Sequence, residues 1–219
     1  MASNWSAENA AQAFIKTTKM GKGMKEPDVL EFISAQAAGN NARLMVAACS
    51  GGEGISTVVA LGAAAHLTGG KVVCILKSTR ELIHYQSVLP EYLCDTQVEF
   101  AIGEAETLIV NDYKESDFVV VDCNLYDHEK ISGLVKAVKE RSRINGGGDA
   151  IVLGYNAFNK GSWGGSTTQF LPIGEGLLLT RISGGKERRK SGNWVVKVDK
   201  CTGEEHVFRV RSRDRTITC

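Results

Sequence analysis

The chain has 219 residues, of which 43% are hydrophobic, 23% are charged and only 3 are proline. This composition excludes disordered, collagen-like and coiled-coil proteins, and the length predicts one main hydrophobic core. The 26 basic and 25 acidic residues give a net charge of +1, which argues against nucleic acid or an anionic membrane as the partner.

The charge is unevenly distributed along the chain. Residues 183–219 carry 10 Lys and Arg against 5 Asp and Glu, so we expect a basic extension for which an acidic partner is a candidate. No run approaches the ~20 apolar residues of a membrane span, and the N-terminus lacks a signal pattern. We expect a soluble protein of the cytoplasm, with the nucleus as the alternative, and leave monomer and homodimer open. The 6 cysteines show no metal-binding spacing, so no metal is expected.

Two helices are predicted before the first strand, within residues 1–41. Ser6 is suited to cap the first, which has one apolar face. Pro27 suits the first turn of the second, and Gly39 suits its end.

Apolar strands then alternate with helices. The strands are predicted at 44–48, 72–76, 98–102, 118–121 and 151–153, and the first helix between them at 55–66. Ser78 and Glu81 form a capping box that begins another helix. Continuous apolar strands separated by helices predict a parallel sheet covered on both faces, which is a doubly wound α/β fold.

The pattern changes after Tyr155. Residues 169–172 and 177–182 predict two strands joined by a glycine turn, an antiparallel hairpin that ends the sheet. We therefore expect one domain over residues 1–182. A further hairpin, at 194–198 and 206–210, is predicted within the basic extension 183–219.

A glycine-rich loop follows the first strand. Gly51, Gly52 and Gly54 let the backbone approach a ligand, and the next helix offers free N–H groups, which predicts a nucleoside cofactor site. An ordinary tight turn also explains such glycines. The second strand ends at Lys77, where a ribose-binding site usually has an acidic residue; a lysine there suits a phosphate instead.

A second group follows the fourth strand. Asp122, Cys123, Asn124, Asp127 and His128 lie within seven residues, which suits either the binding of a hard cation or acid–base chemistry. Asp122 is our candidate catalytic residue. For Asp127 and His128 we favour a helix cap and an exposed first turn, and for Cys123 we favour packing.

The loop after the fifth strand contains the third candidate group. Asn156, Lys160 and Trp163 would face the same crevice and are our candidate substrate-binding residues. A solvated loop is the alternative interpretation.

Two resemblances bear on these candidates. Residues 117–182 resemble the cation-dependent caffeoyl-CoA-type O-methyltransferases: Phe118–Asp122 is similar to their strand ending in a metal-binding aspartate, and Leu171–Gly176 to their late hairpin. That resemblance implies a methyltransferase-like Rossmann fold and S-adenosylmethionine as cofactor. Where the family has an Asp-Asn pair that completes the metal site, this chain has Asn156-Ala157, so metal-assisted transfer is not predicted.

The second resemblance covers nearly the whole chain. Trp5–Glu8, Ala37–Asn41 and Thr202–Val207 are similar to a plant family of unknown function that is assigned to the methyltransferase-like Rossmann group. It implies the same fold and leaves the activity open.

Three functions follow from these observations. The first is a divergent S-adenosylmethionine-dependent methyltransferase-like protein with a small-molecule crevice at the carboxyl ends of the strands. The second is a non-catalytic binding or scaffold protein. The third is a cofactor-independent catalyst that acts on a plant specialised metabolite.

Overall fold

A computed structural model describes residues 5–20, 27–89, 98–144, 148–158, 168–184, 193–198 and 205–210. The helices are α1 (Ala7–Met20), α2 (Pro27–Gly39), α3 (Gly51–Thr68), α4 (Thr79–Val88), α5 (Ala105–Asn111) and α6 (His128–Ile144). The strands are β1 (Leu44–Ala48), β2 (Lys71–Leu76), β3 (Val98–Ile102), β4 (Phe118–Asp122), β5 (Ala150–Tyr155), β6 (Thr168–Leu171), β7 (Leu177–Ile182), β8 (Asn193–Val198) and β9 (Glu205–Val210).

The first seven strands form one sheet in the order β3-β2-β1-β4-β5-β7-β6. The pairs from β3 to β5 are parallel, while β7 pairs antiparallel with both β5 and β6. This confirms the predicted fold class, a mostly parallel doubly wound sheet with a late antiparallel hairpin.

The sheet is covered on both faces because its strands are apolar on both sides. One core cluster packs β1, β2, β4 and β5 against α2 and α3, with Ile33, Leu61 and Phe118 buried in it. The other packs the opposite side of the same strands against α5 and α6, around Ile109 and Leu134. At the amino ends of the strands, the Asp117 carboxylate accepts hydrogen bonds from the backbone N–H groups of Arg43 (2.8 Å) and Leu44 (3.1 Å).

The N-terminal helices begin as the sequence predicts. Ser6 caps α1, since its hydroxyl accepts a hydrogen bond from the Asn9 N–H at 3.2 Å. Trp5 lies over the last residue of α2, where a Cβ on Gly39 would lie 2.3 Å from its ring. A side chain at position 39 would therefore displace the tryptophan.

At the carboxyl edge of the sheet, the predicted ranges of three elements, α3, β4 and β5, are too short. The glycine-rich segment is the first turn of α3, which begins at Gly51 and not at position 55. Ser50, just before the helix, has an extended backbone. The helix begins at Gly51, where the absence of a side chain leaves the backbone free to form the turn. Strand β4 includes Asp122, and β5 extends from Ala150 to Tyr155, because each stays buried to its last residue.

Residues 1–185 and 186–219 form two separate compact units. In the second, β8 and β9 pair antiparallel, with Asn193 opposite Val210 and Val198 opposite Glu205. Among the helices in the described ranges, none has the length and apolarity that crossing a membrane requires.

Candidate functional site

The carboxyl ends of β1, β2, β4 and β5 form one edge of the sheet. The chain leaves β1 toward β2 on one side and later adds β4 on the other, so the order of the strands reverses next to β1. Ligands of open α/β sheets bind at this reversal, outside the carboxyl ends of the strands. The sequence-predicted residues at positions 51, 52, 54, 77, 122 and 156 all follow these four strands or end them.

The first turn of α3 is open on one side. Apart from the adjacent residues and the helix backbone, no atom of the described residues lies within 4 Å of a Cβ built on Gly51 or Gly52, and Gly51 has a φ of +67°, a conformation that favours glycine. The space beside Gly54 is different, because the Tyr85 hydroxyl fills it. That hydroxyl donates to the Gly51 carbonyl at 3.0 Å, so α4 supports the α3 turn, while Gly51 and Gly52 have open space beside them.

Glu81 of α4 connects the α3 turn to the end of β2. The Ser50 hydroxyl donates to Glu81 Oε1, and the Lys77 backbone N–H donates to Glu81 Oε2 at 2.8 Å. Ser78 accepts from the Glu81 N–H at 3.3 Å, which is the predicted cap. Glu81, in the first turn of α4, thus places a carboxylate at the end of β2, where position 77 itself is a lysine. Sequence reasoning found Glu81 only as part of a capping box.

The Lys77 side chain contacts an aromatic ring. Its ammonium lies 5.5 Å from the centre of the Tyr126 ring, within the range of a cation–π interaction. Burial raises the pKa of Tyr126 to about 12, and nearby negative charges, those of Glu104 and Asp122 among them, add to the shift. Tyr126 therefore stays a neutral hydrogen-bonding group at physiological pH.

Asp122 and Asn156 lie in contact at the ends of β4 and β5. The Asn156 side-chain N–H₂ donates to Asp122 Oδ1 at 3.1 Å and to Glu53 Oε2, also at 3.1 Å. Asp122 Oδ1 accepts a further bond from the Asn124 backbone N–H at 2.9 Å. Asn156 has a φ of +58°, a left-handed conformation that asparagine tolerates better than most residues. Glu53, which the sequence analysis did not select, is brought here by α3.

Asp122 is 4% exposed, and this burial raises the pKa of its carboxyl group. The bonds from Asn124 and Asn156 oppose the shift, and the nearby negative charge of Glu53 adds to it. A carboxylate with a raised pKa is a stronger base than an exposed one. The arrangement suits the removal of a proton from a bound ligand.

Two thiols at this edge are buried. Cys49 is 2% exposed, and its pKa is raised well above the ordinary value by a hydrogen bond with Cys74, by burial and by nearby negative charge. It is a neutral thiol and a poor nucleophile. Cys123 is buried in the core cluster that includes α6, which agrees with a packing role.

The other candidates have simpler roles. Asp127 caps α6 by accepting from the Lys130 N–H at 2.8 Å, and His128 is exposed in the first turn. Lys160 and Trp163 lie outside the described residues. The structure therefore brings Asp122 and Asn156 into contact, places Lys77 on Tyr126, and leaves the positions of residues 160 and 163 as predictions.

The residues at Asp122 fit a divalent cation poorly. Asp122 Oδ1 already accepts two hydrogen bonds, and the residue after Asn156 is an alanine, which has no ligand atom. Hard cations take about 6 or more oxygen ligands. In the described ranges, no group of three or more His, Cys, Asp or Glu residues could hold a metal ion.

Several solved structures share this fold. An S-adenosylhomocysteine-bound methyltransferase from Podospora anserina is 14% identical, with a TM-score of 0.56, over 83% of this chain and 90% of that one. A putative caffeoyl-CoA O-methyltransferase from Staphylococcus aureus is 15% identical (TM-score 0.54, 78% and 92% covered). An O-methyltransferase from Bacillus cereus, also in complex with S-adenosylhomocysteine, is 15% identical (TM-score 0.53, 81% and 92% covered).

These likenesses show the fold, a methyltransferase-like Rossmann fold. The curated proteins include no match to this sequence. A family model described as "Protein of unknown function (DUF1442)" matches residues 1–210. The chain therefore belongs to the DUF1442 family.

Proposed function

We propose that this protein is a methyltransferase that binds S-adenosylmethionine at the carboxyl edge of the sheet and acts on a small molecule without a bound metal. One observation carries the proposal: the open first turn of α3 lies between the carboxylate of Glu81 and the buried carboxylate of Asp122. The turn that a ligand can approach is thus linked to two acidic side chains. Ser50, just before the turn, bonds to Glu81, and Glu53, within the turn, is linked to Asp122 through Asn156.

The residues fit this cofactor. The free N–H groups of the α3 turn favour a carboxylate, and Gly51 and Gly52 leave space for its approach. Glu81 can accept hydrogen bonds from ribose hydroxyls, as an acidic residue at the end of β2 does in other Rossmann folds. Lys77 and Tyr126 border the same place, where the ammonium can donate to the ligand.

When bound, this cofactor supplies a methyl group on a positively charged sulfur. Asp122 has a different role, because it accepts the proton that the acceptor must lose to become a nucleophile. Its raised pKa brings it closer to neutral pH and makes that transfer easier. Asn156 holds the carboxylate in place through Oδ1 and leaves Oδ2 for the acceptor. Lys160 and Trp163 remain predicted contacts of the substrate.

Calorimetric titration of S-adenosylhomocysteine tests the proposal. We expect micromolar binding, weakened by at least about tenfold in Glu81→Gln because a charge-assisted hydrogen bond to the ribose is lost. Glu115→Gln, in an exposed turn, is the matched control and should bind normally. Thermal unfolding of both variants separates a lost contact from a lost fold. Absence of binding at millimolar ligand would overturn the proposal.

A further inference from the structure

Glu53 and Asp122 form a pair of neighbouring carboxylates. One nitrogen, Nδ2 of Asn156, donates to both at 3.1 Å, so its two hydrogens are both used. The bond to Glu53 engages Oε2 and the bond to Asp122 engages Oδ1. One oxygen of each carboxylate remains for another partner. We call Glu53 and Asp122 the acid pair, and Asn156 is the amide that joins them.

The acid pair has no cation beside it in the described part of the chain. Lys71 and Glu99 form an ion pair within the described residues, but Lys71 is the first residue of β2, at the amino end of the strand. A carboxylate that is 4% exposed is costly to keep charged without a positive partner. A positively charged ligand would remove that cost.

Tyr155 adds a buried hydroxyl beside Asp122. It is 3% exposed, and its hydroxyl makes no close hydrogen bond with a described residue, while Asp122, Thr57 and Cys49 are its polar neighbours. Tyr155 is the register partner of Asp122 across the β4–β5 pair, and its side chain belongs to the core cluster on the α3 side of the sheet. Burial raises the pKa of Tyr155, and nearby negative charges, those of Asp122 and Glu53 among them, raise it further, so the hydroxyl stays neutral.

We propose that the acid pair and the Tyr155 hydroxyl bind the ammonium group of the methyl acceptor, so that the acceptor is an amine. An ammonium has three N–H donors, and the two carboxylates and the hydroxyl offer three acceptors. A divalent metal would need more oxygen ligands than this group provides. The inference rests on the proposed function and adds the substrate class to it.

The same arrangement gives the proton a destination. A bound ammonium has no free electron pair, so it must lose a proton before its nitrogen can form a new bond. The proton passes to the free oxygen of Asp122, which leaves a neutral amine and a neutral carboxylic acid. Asn156 keeps the carboxyl group in position during this transfer, and Glu53 holds the remaining N–H groups.

A matched pair of probes tests the charge requirement. We would titrate 2-phenylethylamine and 2-phenylethanol, which differ in the amino group, into the protein alone and into the protein with S-adenosylhomocysteine. We expect the amine to bind and the alcohol to bind at least about tenfold more weakly. Glu53→Gln should weaken amine binding by a similar factor, while Glu175→Gln, in the exposed β6–β7 turn, should not. Equal binding of both probes, or full amine affinity in Glu53→Gln, would overturn the inference.

Two further arms identify other occupants. If Glu53→Gln weakens S-adenosylhomocysteine but not 5′-methylthioadenosine, which lacks the amino-acid group, the acid pair holds the ammonium of the cofactor and the acceptor assignment is wrong. Amine binding that appears only in Lys160→Met would show that a lysine of the chain itself occupies the site. Competition by Mg²⁺ would assign the site to a metal. Because cofactor binding is measured separately, loss of the proposed function and loss of this inference give different results.

Discussion

A Cβ on Gly54 would lie 2.0 Å from the hydroxyl oxygen of Tyr85, 3.3 Å from Cζ of the same ring and 3.2 Å from the backbone carbon of Cys49. Position 54 therefore has no room for a side chain, because the Tyr85 side chain that supports the α3 turn fills the space. That side chain is fully buried.

Replacing this glycine should reverse the usual effect of alanine in a helix. Gly→Ala in a helix interior ordinarily stabilises by about 1 kcal/mol. In Gly54→Ala the collision with Tyr85 should instead destabilise the fold by ~2 kcal/mol, measured by urea unfolding. Gly52→Ala, in the same turn with open space beside it, is the control and should show the ordinary gain of up to about 1 kcal/mol in the free energy of unfolding.

The collision can be assigned to the hydroxyl by a second substitution. Tyr85→Phe removes the bond to the Gly51 carbonyl and should cost about 1 kcal/mol. The double variant Gly54→Ala with Tyr85→Phe should lose less stability than the two single effects together, because the closest colliding atom is gone. Strict additivity would show that the two residues do not restrict each other.

Asp122→Asn should separate stability from activity. The amide keeps an acceptor for the N–H groups of Asn124 and Asn156 but removes the buried charge, so the melting temperature at pH 7 should rise, by an amount on the order of 1 kcal/mol or ~2–4 °C. Methyl transfer should be lost because no base remains. A variant that is less stable at pH 7 would contradict the cost assigned to the buried carboxylate.

The stability gain of Asp122→Asn should depend on pH with a defined sign. Since the folded state raises the pKa of Asp122, it binds the proton more tightly than the unfolded chain does. The native aspartate therefore loses stability as the pH rises from below its ordinary pKa through the raised one. The difference in melting temperature between variant and native protein should be smallest in acid, grow through that interval and then level off. A difference that shrinks with rising pH would mean that the folded state lowers this pKa.

The pH dependence of turnover should have the opposite direction. A proton-accepting Asp122 must be ionised, so kcat should fall as the pH decreases through the pKa of the bound enzyme. The midpoint should lie above the ordinary aspartate pKa, because burial raises it. Turnover that stays constant through this range would remove Asp122 from the proton transfer.

The packing of Trp5 against the end of α2 gives a prediction that does not involve the site residues. Gly39→Ala would place a Cβ against the ring of Trp5, which is 42% exposed, so the ring should move further into solvent. We expect a red-shifted tryptophan emission and a loss of ~1 kcal/mol or more. Trp5→Leu with Gly39→Ala should recover part of that loss.

The fold could be predicted because its signals are local. The central strands β1, β2, β4 and β5 are almost wholly apolar, and helices begin at capping residues such as Ser6 and Ser78 that the structure uses as expected. The boundary at Gly51 was missed because three glycines in four residues have low helix propensity, and the tertiary contact with Tyr85 overrides it.

The site was harder to predict because its contacts join distant positions. Asn156 is 34 residues from Asp122 and 103 from Glu53, and Ser50 is 31 from Glu81. The strand ends at Asp122 and Asn156 were identifiable from their position in a parallel sheet. Glu53 and Glu81 lie on helices, where a carboxylate usually faces solvent, so nothing in the local pattern distinguished them.

The Asp117 bonds at the entry to the sheet bear on how the protein assembles. Residue 117 is 74 positions from Arg43, so the bonds of its carboxylate to β1 close a long loop of the chain. The β1–β2 pair, with Leu44 opposite Lys71, closes a much shorter loop. Because closing a longer loop costs more chain entropy, we expect β1, α3 and β2 to dock first and β4 to join later as the step that completes the centre of the sheet. Asp117→Ala should therefore slow refolding less than a core substitution in α3 of equal cost in stability, while accelerating unfolding more.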